Sequence, residues 1–329
     1  MIFVTGGTGF IGSHLLQALA QEGEPVRALK RSSSIPAGLD TVAGIEWVDG
    51  DILDVSSLEA QMEGCREVYH CAGMVSFQRR HRDALRKVNV EGTANVVNVA
   101  LSKKNIRLLH VSSVAAIGRP AKPADINEAT EWDFNGFNSQ YAVSKYLGER
   151  EVWRGMAEGL NAVIVNPSIV IGEGNWKTGP PRFFLDVWKG LWVYTSGSTG
   201  FVAAKDVAGL MIALMKSSIE QEKFIINAEN LSYRDFLFEI ADAMGKKRPV
   251  MKADGWLTSL VWRLEYLRGL FLAEQTLISR ETATIAQLSC RYDNSKLVKA
   301  LNFQFTPMKQ CIAATAALFK ADVAAGKIK

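Results

Sequence analysis

Thr5-Gly6-Gly7-Thr8-Gly9-Phe10-Ile11-Gly12 closes a short apolar run that begins at Ile2, and it opens a stretch with helical patterning. In a strand–turn–helix context this glycine spacing marks a dinucleotide-binding turn. Gly6 permits the tight turn, Gly9 lets the backbone approach a pyrophosphate, and Gly12 lets helix and strand pack closely. The start of the following helix offers free N–H groups and partial positive charge to the phosphates. The residues expected to meet a cofactor here are Gly6, Thr8, Gly9, Phe10, Ile11 and Gly12.

Outward from this turn, short Val-, Ile- and Leu-rich runs alternate with helical patterns up to about residue 170. The runs are Ile2–Thr5, Val26–Leu29, Ile45–Val48, Val68–Cys71, Leu108–Ser112 and Ala162–Val165; helix candidates lie near 12–22, 55–62, 83–104 and 139–158. Runs without polar alternation suit parallel strands covered on both faces. The βαβ rhythm therefore predicts an α/β fold with a doubly wound parallel sheet. After residue 170 the rhythm breaks. A helix candidate spans Phe183 to Trp188, and a strand-and-helix unit near Phe201 to Lys216, followed by Phe224–Asn227, is expected to return to the sheet. From about Ser232 the pattern is mostly helical. This divides the chain into a dinucleotide-binding domain, 1–171 with a return at about 201–228, and a smaller, mostly helical substrate-binding lobe, 172–200 and 229–329.

The end of the second run carries Lys30-Arg31-Ser32, with no acid to hold a ribose 2′-hydroxyl. Two cations and a serine run suit a 2′-phosphate, and the planar fork of Arg31 is apt for it. The expected cofactor is NADP rather than NAD; a solvated basic loop is the alternative. Asp51 and Ile52 close the third run where an adenine edge would lie.

Tyr141 and Lys145 stand four apart in a helical stretch, which puts both on one face. A phenol with a pKa of ~10 is a poor acid–base group near neutrality. A neighbouring ammonium favours the phenolate and lowers that value. Ser112 and Ser113 end a predicted strand, where a hydroxyl can hold a substrate oxygen while hydride moves. Each serine taken alone reads as a cap or turn residue.

Together these residues resemble the extended short-chain dehydrogenase/reductase family, of the NAD(P)-dependent epimerase/dehydratase type, over nearly the whole length. The resemblance rests on Thr5–Gly12, Gly50-Asp51-Ile52, His70-Cys71-Ala72-Gly73, Asn89 with Gly92-Thr93, Ser112-Ser113, the Tyr141/Lys145 pair and Asn166-Pro167-Ser168. Later carriers are Phe201-Val202, Asp206-Val207-Ala208, and Asp293 to Lys296 leading to Phe303 and Pro307. It implies a Rossmann-type fold, with Tyr141 as general acid/base, Lys145 as its partner and Ser113 as the ligand of the substrate oxygen. Asn89 matches a position that supports a proton relay. Ala72, Gly73, Ser112, Pro167 and Ser168 are placed along the cofactor, which Tyr141 and Lys145 also meet. A homodimer through the helix carrying the pair and its neighbour near 83–104 is expected from the resemblance alone.

The segment Val26–Arg31 is similar to dihydroflavonol 4-reductase-like members. Nucleotide-sugar members typically carry an arginine just before the segment matching Phe201-Val202; Ser198-Thr199-Gly200 stands here instead. The expected activity is an NADP-dependent oxidoreductase acting between a ketone and a secondary alcohol on a small, partly apolar substrate. The alternatives are a nucleotide-sugar epimerase or dehydratase with tightly held cofactor, and a non-catalytic dinucleotide-sensing regulator.

Composition narrows the rest. At 329 residues, 48% hydrophobic and 22% charged, the chain is of globular type and long enough for two lobes. Its four scattered cysteines lack metal or disulfide spacing, and no two of its four histidines are spaced as metal ligands, so no metal is expected. A net charge of +4 without a dense basic block gives no sign of nucleic acid. The first residues lack a signal-peptide pattern, and the most apolar stretch, 256–272, is interrupted by Arg263, Glu265 and Arg268. No membrane span is expected there; a stripe over the substrate pocket, a subunit contact or a membrane-surface contact are its readings. A cytoplasmic enzyme is expected. Seven of the eight tryptophans lie after residue 130, where Trp176, Trp188 and Trp192 either pack a core or line an apolar pocket.

Overall fold

The computed structural model describes residues 1–31, 35–36, 38–118, 125–134, 138–253 and 286–328. Ser32 and the 256–272 stripe lie outside the described residues. The central sheet has seven parallel strands: β1 (Ile2–Thr5), β2 (Val26–Lys30), β3 (Ile45–Asp49), β4 (Glu67–His70), β5 (Arg107–Val111), β7 (Asn161–Pro167) and β11 (Glu222–Ile226). Their order is β11-β7-β5-β4-β1-β2-β3. Each predicted run forms a strand, although β4 and β5 begin and end one residue earlier than their apolar runs. The order reverses between β1 and β4, and the crevice beyond that reversal is where such sheets bind ligands.

Both faces of the sheet are covered, which is why the runs lack polar alternation. On one face α1 (Phe10–Gln21) and α7 (Ala204–Lys216) bury Leu15, Leu16, Leu19, Leu210, Met211 and Leu214 against Val4, Val26, Tyr69 and Leu109. On the other, α2 (Val55–Gln61), α4 (Gly92–Ser102) and α5 (Gln140–Ala157) bury Leu58, Val96, Val97, Val152 and Met156 against Phe3, Val68, Leu108 and Ile164. Full burial of one such side chain stabilises by roughly 1.5–3 kcal/mol.

The predicted helix near 83–104 is one continuous helix with a defect. α3 (Arg82–Arg86) passes into a π turn at Lys87–Glu91 and then into α4. The wider turn carries Asn89, and Gly148 of α5 packs directly against it. A Cβ on Gly148 would stand 2.2 Å from the Asn89 carbonyl oxygen.

The strand near Phe201 does not join the central sheet, contrary to the sequence expectation. β10 (Ser198–Ala203) pairs in parallel with β8 (Ile169–Ile171) and antiparallel with β12 (Glu229–Ser232), in a separate three-stranded sheet. Only β11 returns to the large one, beside β7. Further pairs join β6 (Asp125–Ile126) to β14 (Arg291–Tyr292) and β9 (Val193–Tyr194) to β13 (Met251–Lys252). α9 (Ser295–Leu301) packs beside β11. The small sheet shares a second core with α6 (Arg182–Trp188), α8 (Tyr233–Met244) and α10 (Met308–Ala324), built on Phe184, Phe201, Phe236 and Phe319. Trp176 is buried in this core and donates Nε1–H to Asp322, whereas Trp192 is 55% exposed. Core packing therefore accounts for Trp176.

Two helix glycines separate steric from conformational effects. Gly148→Ala is expected to destabilise by about 1–3 kcal/mol, because the methyl meets a backbone carbonyl that cannot swing away. Gly209→Ala in α7, with no atom within 4 Å of its would-be Cβ, is expected to stabilise by about 0.5–1 kcal/mol. Urea unfolding of both variants checks the pair, and equal signs would be the contrary result.

Candidate active site

α5 begins at a conventional cap: Ser139 Oγ accepts from Ala142 N–H at 3.1 Å. This fixes the first turn of the helix, so Tyr141 and Lys145 follow on one face. Tyr141 is half-buried, with the Phe77 ring edge-on at 5.6 Å. Lys145 is buried, and its Nζ donates to the Val111 carbonyl at 2.8 Å. Burial lowers its pKa to about 8, with the charge of Glu149 and the Cys71 thiol acting in the opposite direction.

The two serines at the end of β5 divide their tasks. Ser113 Oγ accepts from Ala115 N–H at 3.2 Å and caps the short turn Val114–Ala116, while its carbonyl accepts from Asn166 at 3.0 Å. Ser112 Oγ turns inward and donates to Glu149 Oε2 at 2.8 Å. Ser112 is thus committed to the protein interior, and Ser113 stays half-buried beside it.

Asn89, in the π turn, holds the loop after β4 against α5. Its Oδ1 accepts from Met74 N–H at 2.7 Å, and its Nδ2 donates to the Met74 carbonyl and to Ser144 Oγ, each at 2.9 Å. Gly73 lies between these groups; a Cβ there would stand 3.4 Å from Asn89 Oδ1 and 3.7 Å from Lys145 Nζ. Below them is a buried histidine pair. His70 shares hydrogen bonds with Thr5 Oγ1 and Thr93 Oγ1, and its ring lies 5.1 Å from that of His110. Neither ring nitrogen of His110 has a hydrogen-bond partner among the described residues. Burial, with the Lys145 charge second, takes His70 down to about 3 and His110 well below its ordinary value, so both are neutral.

The glycine turn fits a dinucleotide on steric grounds. Gly6 has φ +72°, and its Cβ would lie 2.5 Å from Ala72 N, where the ends of β1 and β4 meet. A Cβ on Gly12 would lie 2.2 Å from the Gly6 carbonyl. Gly9 is exposed and begins α1 without a side-chain cap or an acid in the first turn, which leaves N–H groups for phosphate. Thr8, Phe10 and Ile11 are half-buried around this turn, and Ala72 N–H donates to Thr5 Oγ1. At the end of β2, Arg31 is exposed, and Lys30 is ion-paired with Asp49, directly opposite on β3. Asp51 folds back to accept from Leu53 N–H, and Ile52 is buried against Gly92. At the end of β7, Pro167 is buried, and Asn166 Oδ1 and the Oγ of the following Ser168 are buried without a partner among the described residues. These unfilled acceptors suit an amide such as that of nicotinamide.

Sequence reasoning passed over Glu149, Asn166 as a structural tie, Asp49 and the His70/His110 pair. Glu149 had a usable signal, since it continues the Tyr141/Lys145 stripe by one more turn. No cluster of three His, Cys, Asp or Glu that could hold a metal ion occurs among the described residues, and no described helix is long and apolar enough to cross a membrane.

A doubly wound sheet, an open glycine turn at its switch point and a buried lysine one turn from a tyrosine define a dinucleotide-dependent enzyme of the reductase and dehydratase type. Residues 2–227 match the NAD dependent epimerase/dehydratase family, and the chain belongs to that family. It is 31% identical over 321 residues to a Synechocystis sp. protein named "Putative dihydroflavonol 4-reductase", covering 94% of this chain and 92% of the other. It is 32% identical over 252 residues to sterol demethylase protein B of Methylococcus capsulatus, covering 75% of each. The crystal structure of gox2253 superposes with a TM-score of 0.83 at 26% identity, covering 98% of both chains.

The neutral histidine pair sets an acid limit to stability. Both groups hold fewer protons folded than unfolded, so stability falls as pH drops below the unfolded value of ~6.5, continuing for His70 toward about 3. Each histidine is expected to contribute a loss of roughly 1 kcal/mol per pH unit in that window. Urea unfolding between pH 7 and pH 5 measures it, and a shallower slope in His110→Phe identifies the source.

Proposed function

We propose that this protein is an NADP-dependent reductase of a ketone on a small, partly apolar substrate, working reversibly on the corresponding secondary alcohol. The observation that carries the proposal is the buried Lys145, bonded to the last residue of β5 two residues before Ser113 and one helical turn from Tyr141. When bound, the reduced dinucleotide supplies a hydride to the carbonyl carbon. Tyr141 passes its phenolic proton to the carbonyl oxygen. The ammonium of Lys145 favours the phenolate left behind, and Ser113 Oγ–H turns from its cap to hold the substrate oxygen. Phe77, in the loop after β4, supplies an apolar wall beside Tyr141, and the exposed Val75 lies in the same loop. The names of the two relatives, a flavonoid-type reductase and a sterol-pathway protein, favour a substrate with apolar rings.

Arg31 is assigned the 2′-phosphate of NADP. Asp51 and Ile52 are assigned the adenine, Gly6 to Gly12 the pyrophosphate, and Ala72, Gly73, Pro167 and Ser168 the nicotinamide half. The substrate lobe is assigned to 172–200 and 229–329, around the second core. Epimerase or dehydratase chemistry on a nucleotide sugar is the second reading, favoured by the family description. It differs in giving no net turnover of the cofactor.

Tyr141→Phe is expected to lower kcat for ketone reduction by about a hundredfold or more. NADPH consumption across a panel of ketones, aldehydes and nucleotide sugars is the measurement, and full activity in the variant would contradict the acid–base assignment. NADPH is expected to bind more tightly than NADH, and Arg31→Ala to erase about tenfold or more of that preference. Titration of nucleotide fluorescence checks this; equal wild-type affinities would refute it.

A further inference from the structure

Glu149 is the least exposed carboxyl of the catalytic helix, and no step above uses it. It stands one turn beyond Lys145 and two beyond Tyr141, with its side chain only 4% exposed. Its Oε2 accepts from Ser112 Oγ and from Asn166 Nδ2, each at 2.8 Å. Its Oε1 faces Trp153 Nε1 at 3.4 Å and Lys223 Nζ at 3.7 Å. Ser112 follows β5, Asn166 lies in β7 and Lys223 in β11, which are adjacent in the sheet. One carboxylate therefore joins α5 to three neighbouring strands. Asn166 also bonds the Ser113 carbonyl, and Lys145 bonds that of Val111. Val111, Ser112 and Ser113 are thus each gripped, directly or through Asn166, by the helix that carries Tyr141.

The charges around Lys145 isolate Glu149 further. The groups whose charges act with the ammonium are His70 at the end of β4, Cys71 just after it, His110 on β5 and Glu149 on its own helix, where Tyr141 stands one turn earlier. Both histidines are kept neutral by burial, and burial pushes the Cys71 thiol up to about 12. Among the described residues, Glu149 is then the carboxylate that acts to support the Lys145 charge. Lys223 is the cation on its far side and tempers that support.

We infer that Glu149 is a positioning residue for the acid–base pair: it fixes Ser113 against α5 through Ser112 and Asn166, and it holds a carboxylate one helical turn from the Lys145 ammonium. The inference rests on the Tyr141–Lys145 reading of the site. It separates two effects, since the hydrogen bonds orient Ser113 and the charge acts on Lys145. Without the anion, Lys145 sheds its proton at lower pH, and Tyr141 loses the charge that favours its phenolate.

The test is the pH profile of kcat for ketone reduction in wild type, Glu149→Gln, Glu149→Asp and Ser112→Ala, with Tyr141→Phe alongside and thermal melting to establish folding. In Glu149→Gln the alkaline fall-off is expected to move down by about one pH unit, with a loss in kcat larger than any rise in KM for the cofactor. Glu149→Asp and Ser112→Ala keep the anion, so their fall-off stays near that of wild type while kcat drops. A uniform loss in Glu149→Gln, with the fall-off unmoved, overturns the inference. Should that variant not fold, Glu149→Asp and Ser112→Ala decide: a displaced fall-off or a wild-type kcat in the folded variants overturns the inference, and a lower kcat with the fall-off in place supports it. If Tyr141→Phe is inactive while Glu149→Gln leaves the limb in place, only this inference fails; if Tyr141→Phe retains full activity, the reading of the site fails first.

Discussion

A lysine ammonium buried under a parallel sheet is the constraint to which the site conforms. Taking such a charge out of water is costly unless it is bonded and opposed by another charge. Lys145 meets both needs through α5 and β5: the Val111 carbonyl accepts its hydrogen bond, and Glu149 supplies the opposing charge. Satisfying the lysine fixes the height and rotation of α5 against the strand ends. Tyr141 and Ser113 then have little freedom in where they stand. The residual effect of burial leaves Lys145 at about 8, where its charge responds to modest changes in surroundings.

The parts legible in the sequence are those specified locally. The glycine turn depends on positive φ and on the absence of Cβ atoms at Gly6 and Gly12, and both are written in residue type. The seven strands of the sheet were foreshadowed by apolar runs because both faces are covered. Boundaries slipped by one residue at β4 and β5, where Cys71 and Ser112 extend an apolar or small-residue run past the last ladder pairing. The three-stranded sheet was not legible: its partners Ile169, Phe201 and Glu229 are distant in sequence, and no local pattern chooses between two sheets. Glu149 was missed for a related reason. Its place one turn beyond Lys145 was visible, but a charged residue on a helix ordinarily faces water, and tertiary packing is what buries this one.

The cofactor end follows a different logic from the catalytic end. Around Lys145 the polar groups are buried and nearly all committed. Around β2 and β3 they are exposed, and Lys30 is engaged by Asp49 rather than held ready. An exposed pair of this kind contributes little to stability and is readily exchanged for another anion. The chain thus sets a buried, committed polar interior around Lys145 against an open polar rim at β2 and β3, with the glycine turn between them.

The π turn at Lys87–Glu91 has a geometrical consequence for the helix that contains it. One extra residue in a turn advances the following side chains by about a hundred degrees of azimuth. The segment before the turn is therefore out of phase with the segment after it. Asn89 in the turn addresses Ser144 of α5 and the loop at Met74, and α3 before it packs on α5, while Val96, Val97 and Ala100 address the sheet. A single rod acts like a pair of gears keyed at different angles, and the tooth between them is the carbonyl of Asn89, seated on a glycine.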